Sequence, residues 1–323
     1  MDNISLLVLS EPTDRQLVML EQLPEGTSLA VGTAPEAFER LAADAGVILN
    51  WSGTAALLRQ VLPLCPRLRW VHTRSAGLDD VLFPELAEMP LVLTNGNGVF
   101  SDSLGEFALA AILFFAKGFR RLVSSQEAGV WDQFEVCDIA GLTAGIVGYG
   151  SIGRAVAARL RPLGMKLLAL RRGGGPEAQP DEWVARVYSP DERLEMIARC
   201  DYLVVSAPLT AATRGMIGEA EFAAMKPEAV VINIGRGPVI DEPAMLRALA
   251  SRRIQGAALD VFDTEPLPPG HALYGLGNVL LSPHSADHTR DWLDRAMQLF
   301  LDNFERFRTG QPLRNVVDKR RGY

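Results

Sequence analysis

Three short segments of this chain carry residue types that move protons and grip anions, each directly after a run of β-branched or aliphatic residues. Ala229–Asn233 runs into Ile234-Gly235-Arg236-Gly237-Pro238-Val239-Ile240-Asp241, and Gly256–Leu259 into Asp260-Val261-Phe262-Asp263-Thr264-Glu265-Pro266-Leu267-Pro268. Val279–Leu281 runs into Ser282-Pro283-His284-Ser285-Ala286-Asp287-His288-Thr289. A histidine titrates near neutral pH and can give or take a proton. A guanidinium fork can hold a carboxylate and polarise a carbonyl. Arg236, Glu265 and His284 are therefore the candidate catalytic residues. Singly each has an ordinary alternative: a loop arginine, a helix-terminal surface charge, a turn or core histidine. Their joint position at three consecutive strand ends favours chemistry, because ligands of open α/β sheets lie beyond the carboxyl ends of the strands.

A fourth segment names the partner of that chemistry. The run Thr143–Val147 passes into Gly148-Tyr149-Gly150-Ser151-Ile152-Gly153 and then into the helical stretch Arg154–Leu160. In the order strand, GxGxxG, helix, the first glycine permits a tight turn, the second lets backbone approach a pyrophosphate, and the third lets helix pack on strand. The phosphates would rest on N–H groups at the helix N-terminus. The run Lys166–Leu170 ends where an NAD enzyme carries an acidic residue for the ribose 2′-hydroxyl. Here it ends in Arg171-Arg172-Gly173-Gly174-Gly175. Guanidinium groups bind a 2′-phosphate through charge-assisted hydrogen bonds of roughly 1.5–3 kcal/mol each. NADP(H) is thus the expected coenzyme, with NAD(H) as the second choice. The alternative is a pair of solvated surface arginines.

These segments need a scaffold, and the rest of the chain supplies it. Strand-like runs recur between helical stretches: Ser5–Leu9, Gly46–Leu49, Arg69–Thr73, Leu91–Thr94, Thr143–Val147, Lys166–Leu170, Tyr202–Ser206, Ala229–Asn233, Gly256–Leu259 and Val279–Leu281. Near-continuous apolar strands alternating with helices predict parallel sheets covered on both faces. The runs outnumber the strands of one doubly wound sheet, so the fold class is α/β with two Rossmann-like doubly wound parallel-sheet domains separated by a cleft. A helical pattern from Ser101 to about Phe119 marks the division, and a second, Thr289–Arg308, could return the chain to the first domain. The expected division is 1–98 with 290–323 as a discontinuous substrate domain, and 99–289 as the dinucleotide-binding domain.

The 323 residues suffice for two such cores. A formal net charge of −7 argues against nucleic-acid binding, and the short basic end Lys319–Arg321 reads as a solvated terminus. The apolar run Phe107–Ala116 is too short to span a membrane, which takes about 20 residues. Ser5–Leu9 follows Asp2 with no basic region, so it reads as a strand and not as a signal peptide. Cys65, Cys137 and Cys200 are widely spaced and suit a reducing compartment, which makes the expected location cytoplasmic. There is no HExxH and no His/Cys cluster, so no catalytic metal is expected. His72, His271 and His288 read as structural or exposed.

With these blocks assembled, the chain resembles the D-isomer-specific 2-hydroxyacid dehydrogenase family over nearly its whole length. The matching stretches are Ser75-Ala76-Gly77-Leu78-Asp79, Asn95–Glu106, GIVGYGSIGRAVA from Gly145, INIGRGPVID, ALDVFDTEPLP and SPH. A looser similarity, through the arginine pair and the Trp51 region, points to the glyoxylate/hydroxypyruvate reductase branch. The resemblance implies an NAD(P)-dependent enzyme that interconverts small 2-oxo acids and (R)-2-hydroxy acids. It implies His284 as general acid, with Glu265 holding its ring and favouring imidazolium by roughly 1–3 pH units. Arg236 would grip the substrate carboxylate, with backbone N–H groups at Ser75, Ala76 and Gly77 on its other end. Asp260 would bind the nicotinamide amide, and Ala207, Pro208, Ile234 and Gly235 would line the coenzyme. A homodimer through the Ser101–Phe119 region is expected on the same ground.

One departure stands out. Where the family usually has small apolar residues after the histidine, this chain has Ser285-Ala286-Asp287-His288. Asp287 could narrow the pocket or repel a second carboxylate, but pointing to solvent is the favoured reading. Trp51 could wall the substrate pocket or sit in the core. Competing functions on the same fold are phosphite or formate oxidation and a non-enzymatic, nucleotide-sensing corepressor role. The Glu265–His284 pair argues against formate but does not exclude phosphite, and a corepressor would need partner-binding extensions, whereas the two expected domains use nearly all 323 residues.

Overall fold

The computed structural model describes residues 4–52 and 54–322. The chain falls into two compact units, Met1–Phe100 with Arg290–Tyr323, and Ser101–Thr289. In the first, five parallel strands, β1 (Ser5–Leu9), β2 (Ser28–Gly32), β3 (Ala45–Asn50), β4 (Trp70–Thr73) and β5 (Val92–Thr94), lie in the order β2-β1-β3-β4-β5. Strand alternation sorts the side chains into two layers. Leu6, Val8, Val47 and Leu49 meet Met297, Phe300, Leu301 and Phe304 of the helix Trp292–Arg308, whose apolar residues recur at helical spacing. Leu7, Leu9, Ile48 and Val71 pack on the opposite face with Leu58, Val61 and Leu86.

The second unit carries seven parallel strands, β6 (Thr143–Val147), β7 (Lys166–Leu170), β8 (Arg186–Tyr188), β9 (Tyr202–Val205), β10 (Val230–Asn233), β11 (Gly256–Leu259) and β12 (Val279–Leu281). Their order is β12-β11-β10-β9-β6-β7-β8, which reverses direction between β6 and β9. Such a switch point leaves a crevice at the carboxyl ends of the two strands, where nucleotides bind in doubly wound sheets.

Two strands escape a reading by hydrophobic runs. Strand β2 lies at a sheet edge with most of its residues only partly buried, and β8 spans three residues after a polar loop. The expected helix from Ser101 to about Phe119 spans Ser101–Ala116, and a second helix not read from the sequence, Phe119–Glu127, follows it. Gly118 stands between them with φ 61°, a left-handed conformation that ends the first helix. Among the described residues no helix is long and apolar enough to cross a membrane.

Candidate active site

The glycine turn sits at the switch point. Gly148 has φ 89°, and a Cβ there would come within 2.5 Å of Ala207 backbone atoms, so only glycine lets the β6 and β9 ends close on each other. Ser206 Oγ donates to Gly148 O at 2.8 Å and holds the turn. Nothing lies within 4 Å of where a Gly150 side chain would be, and the helix Ser151–Leu160 starts there without a side-chain cap. Open space before an uncapped helix end fits a pyrophosphate.

The side chain of Tyr149 turns inward. Its ring is buried, and its hydroxyl donates to both carboxylate oxygens of Asp181, at 2.9 and 3.0 Å. Asp181 also accepts from Trp183 N at 3.0 Å and pairs with Arg154, whose guanidinium lies 5.0 Å from the Tyr149 ring centroid. The glycine turn and the loop between β7 and β8 are thereby tied together. Arg171, at the end of β7, is partly buried, and its Nε is buried without an acceptor among the described residues. An unmet donor of this kind costs about 1–3 kcal/mol, and a phosphate oxygen would satisfy it. Arg172 is exposed. The two arginines of the motif are thus not equivalent.

The catalytic candidates gather at the ends of β10, β11 and β12. Asn233, the last residue of β10, accepts from Gly235 N at 3.1 Å and donates to Arg236 O at 3.1 Å, which shapes the turn that presents Arg236. A Cβ on Gly237 would fall within 1.9 Å of the Phe262 carbonyl, so glycine there lets the Arg236 turn lie against the segment that carries Glu265. Glu265 Oε1 accepts from Phe262 N at 2.9 Å, and Oε2 lies 2.7 Å from His284 Nδ1. With the carboxylate ionised, Nδ1 donates to it and Nε2 is the ring atom left for a substrate.

Electrostatics follow the geometry. Burial alone would raise the Glu265 carboxyl, but hydrogen bonds from His284 and Phe262 N, with the nearby Arg236 charge, bring it below the usual carboxylate range. The hydrogen bond to Glu265 raises His284 above the ordinary imidazole value, against partial burial and the repulsion of Arg236. His284 has φ 51°, a costly conformation for a residue with a Cβ. It is held there by Asp260, whose Oδ1 accepts from Ser282 Oγ at 2.6 Å and from Ser285 N and Ala286 N at 3.0 Å. Asp260 was expected to face the nicotinamide amide; one of its oxygens is committed instead to the histidine loop.

Asp287 corrects its expectation. It does not point to solvent: its side chain is 20% exposed, and Oδ1 is buried without a hydrogen bond, 3.6 Å from His288 Nε2. Burial raises its pKa. Among the other histidines, His271 pairs with Glu242 at 3.1 Å, and His288 is exposed. His72 is enclosed between β-sheet and helix, where burial lowers its pKa to about 3.

In the first unit, Ser75, Ala76 and Gly77 follow β4 as a partly buried loop. The Ser75 carbonyl accepts from Gly96 N at 3.0 Å, and the Ala76 carbonyl from Asn95 Nδ2 at 2.7 Å. The N–H groups of all three residues have no acceptor among the described residues. Trp51 takes the core position of its two alternatives: it is fully buried with the strand residues and donates to Asp14 at 2.8 Å.

The description of the D-isomer specific 2-hydroxyacid dehydrogenase NAD-binding domain matches residues 109–286, the glycine turn and all three catalytic candidates among them. This chain belongs to that family. As a 2-hydroxyacid dehydrogenase it is an NAD(P)-dependent oxidoreductase acting on 2-hydroxy and 2-oxo acids. A glyoxylate reductase of Thermococcus gammatolerans is 34% identical over 269 residues, 80% of this chain and 79% of that one. Among solved structures, an NADPH-dependent glyoxylate/hydroxypyruvate reductase from Sinorhizobium meliloti, bound to NADP and sulfate, is 26% identical with a TM-score of 0.83. It covers 99% of this chain and 100% of its own. A D-isomer specific 2-hydroxyacid dehydrogenase from Xanthobacter autotrophicus, bound to NADPH and MES, is 27% identical with a TM-score of 0.82 over the whole of both chains.

Three further residues of this dehydrogenase site carry little or no signal in the sequence. Asn233 and Ser206 are strand-end polar residues that could have been suspected from position alone. Asp181 lies in an irregular loop, 32 residues from the tyrosine it binds, and only the folded chain shows the contact.

Proposed function

We propose that this dehydrogenase reduces glyoxylate and hydroxypyruvate with NADPH, giving the (R)-2-hydroxy acid where the product is chiral. The observation that carries the reading is the Glu265–His284 pair at 2.7 Å, with Arg236 close enough to act electrostatically on both. A raised pKa keeps the imidazole protonated to higher pH, as a proton donor requires. Bound coenzyme supplies the hydride to the carbonyl carbon. His284 Nε2 gives its proton to the carbonyl oxygen, Glu265 keeps the ring oriented and charged, and Arg236 holds the carboxylate and polarises the carbonyl. The N–H groups of Ser75, Ala76 and Gly77 are further carboxylate donors in this reading. Asp260 positions the histidine loop and offers its second oxygen to the nicotinamide amide. The coenzyme rests on Gly148–Gly153, with Ala207, Pro208, Ile234 and Gly235 alongside. An NADPH-oxidation assay with glyoxylate, hydroxypyruvate and pyruvate tests this, with chiral analysis of the glycerate formed. Turnover is expected with the first two substrates, and (R)-glycerate as product. No turnover, or (S)-glycerate, would overturn the reading.

The choice of NADPH rests on Arg171, whose buried Nε lacks a partner beside the nucleotide turn. A single charge-assisted bond of about 1.5–3 kcal/mol predicts at least a tenfold preference for NADPH in kcat/KM. The contact is remote from the hydride, so the preference should lie mainly in coenzyme KM. Arg171→Asp should reverse it by deleting the phosphate partner and supplying a ribose acceptor. A variant that still favours NADPH would remove Arg171 from the coenzyme site.

A homodimer and a cytoplasmic location go with this reading. All three cysteines are free, as a reducing compartment would keep them. The surface proposed for the dimer extends beyond the Ser101–Phe119 region. The helix Ser101–Ala116 buries Leu104, Ala108, Ala111 and Ile112 within its own unit, whereas Phe119, Leu122, Val123, Val130, Trp131 and Val136 just beyond it are exposed. Trp131 is 90% exposed. An apolar stretch of this kind marks a contact surface. Wild-type protein should sediment as a dimer and Trp131→Glu as a monomer; a monomeric wild type would remove the dimer.

A further inference from the structure

The first unit holds a guanidinium whose hydrogen-bond donors meet no acceptor among the described residues. Arg74 follows β4 and directly precedes Ser75, at the carboxyl edge of the sheet. Its backbone is fixed: its N–H donates to Asn50 O at 3.4 Å, and a Cβ on Gly96 would come within 2.1 Å of its carbonyl oxygen. Its guanidinium lies 5.3 Å from the ring centroid of Trp51 and 5.5 Å from that of Trp292. Two aromatic faces hold a planar cation without spending its hydrogen-bond donors.

The nearest compensating charge is already committed. Asp14 Oδ1 accepts from Gln16 N at 3.1 Å and Oδ2 from Trp51 Nε1 at 2.8 Å. It acts on Arg74 through space, and among the described residues no carboxylate lies within ion-pair distance of the guanidinium. Nor does any of its five N–H donors meet an acceptor there. Burial correspondingly lowers the Arg74 pKa. A partly buried charge that is stacked but not hydrogen-bonded leaves part of its desolvation uncompensated. The N–H groups of Ser75, Ala76 and Gly77, which have no acceptor among the described residues, follow it in the chain.

We propose that Arg74 is a substrate-binding residue, completing with the Ser75–Gly77 N–H groups a cradle for the carboxylate of the 2-oxo acid within the first unit. The inference rests on the reading that this chain reduces 2-oxo acids. Its role is separate from that of Arg236, which works beside the proton donor. Arg74 holds a group that does not change charge during the reaction. It therefore stabilises substrate and transition state alike and acts on KM more than on kcat.

Arg74→Met keeps an unbranched stem between the indoles and removes every donor. With glyoxylate and hydroxypyruvate its KM should rise at least about tenfold while kcat stays within about threefold, the pattern of lost uniform binding. The inhibition constant for oxamate, an unreactive analogue of glyoxylate, should rise in parallel, and the NADPH dissociation constant should not move. Arg74→Lys should not restore the KM, because an ammonium lacks the planar fork. A folded Arg74→Met protein with unchanged KM and oxamate inhibition would make Arg74 a packing residue only. The wild type gives a check that needs no variant: oxamate in the presence of NADP⁺ should protect Arg74 from phenylglyoxal, as read by peptide mass mapping. Unprotected Arg74 overturns the proposal. A wild type that reduces no 2-oxo acid overturns the proposed function instead, so the two failures are distinct.

Discussion

His284→Gln should lower kcat for hydroxypyruvate reduction by about 10²–10⁴-fold while leaving NADPH binding nearly unchanged, the range that a positioned acid contributes. Glutamine can still occupy the space and bond to Glu265, so loss of packing would not account for the drop. The pH profile supplies a second reading of the same pair. Reduction needs His284 protonated, and the hydrogen bond to Glu265 raises its pKa. Activity should therefore persist from neutral toward acidic pH and fall as pH rises through the raised value. Glu265→Gln keeps an acceptor but removes the charge, so that falling limb should move to lower pH by about 1–3 pH units. The burial of the pair opposes imidazolium once the anion is gone and works in the same direction. Near wild-type turnover in His284→Gln, or a falling limb in Glu265→Gln that does not move, would remove the proton-donor assignment.

Arg236→Ala should cost about 10²–10³-fold in kcat, comparable to removing one preorganised donor from a site of developing charge. The alkoxide forming at the carbonyl oxygen is where the guanidinium acts, so the loss should appear in kcat as well as in KM for the oxo acid. Arg236→Lys should recover little, because the lysine ammonium cannot present two parallel N–H groups to a carboxylate. The turn that presents Arg236 depends on Asn233 and on the close approach of Gly237 to Phe262, neither of which the substitution touches. A KM effect with unchanged kcat would make Arg236 an anchor alone, and unchanged kinetics would mean that another cation binds the substrate. The contrast with Arg74 is then a matter of which kinetic constant moves. Arg74 should show itself in KM and Arg236 in both.

Much of this protein is legible in its residues taken in order. The bounds of strands β1, β6, β7, β11 and β12 agree to the residue with the runs read from the sequence, because a parallel strand covered on both faces is built mostly of apolar side chains. The glycine turn is equally local: strand, three spaced glycines and helix define its geometry within one segment. The grouping of Arg236, Glu265 and His284 follows from the rule that parallel strands deliver their carboxyl ends to one edge. Contacts between distant residues were decided only by tertiary structure. Edge strand β2 has only the short, largely unburied apolar run Leu29-Ala30-Val31, and its pairing with β1 depends on register across the sheet. Asp260 holds the histidine loop, 22 to 26 residues further along the chain, because adjacent strands bring them together. Asp287 is partly buried at the end of the loop that Asp260 fixes, with its Oδ1 enclosed. Arg74 lies between Trp51 and Trp292, which only the return of the last helix to the first sheet brings into reach. Local pattern reports what backbone periodicity and burial demand of a segment, whereas a polar side chain's partner depends on which segments the fold places beside it.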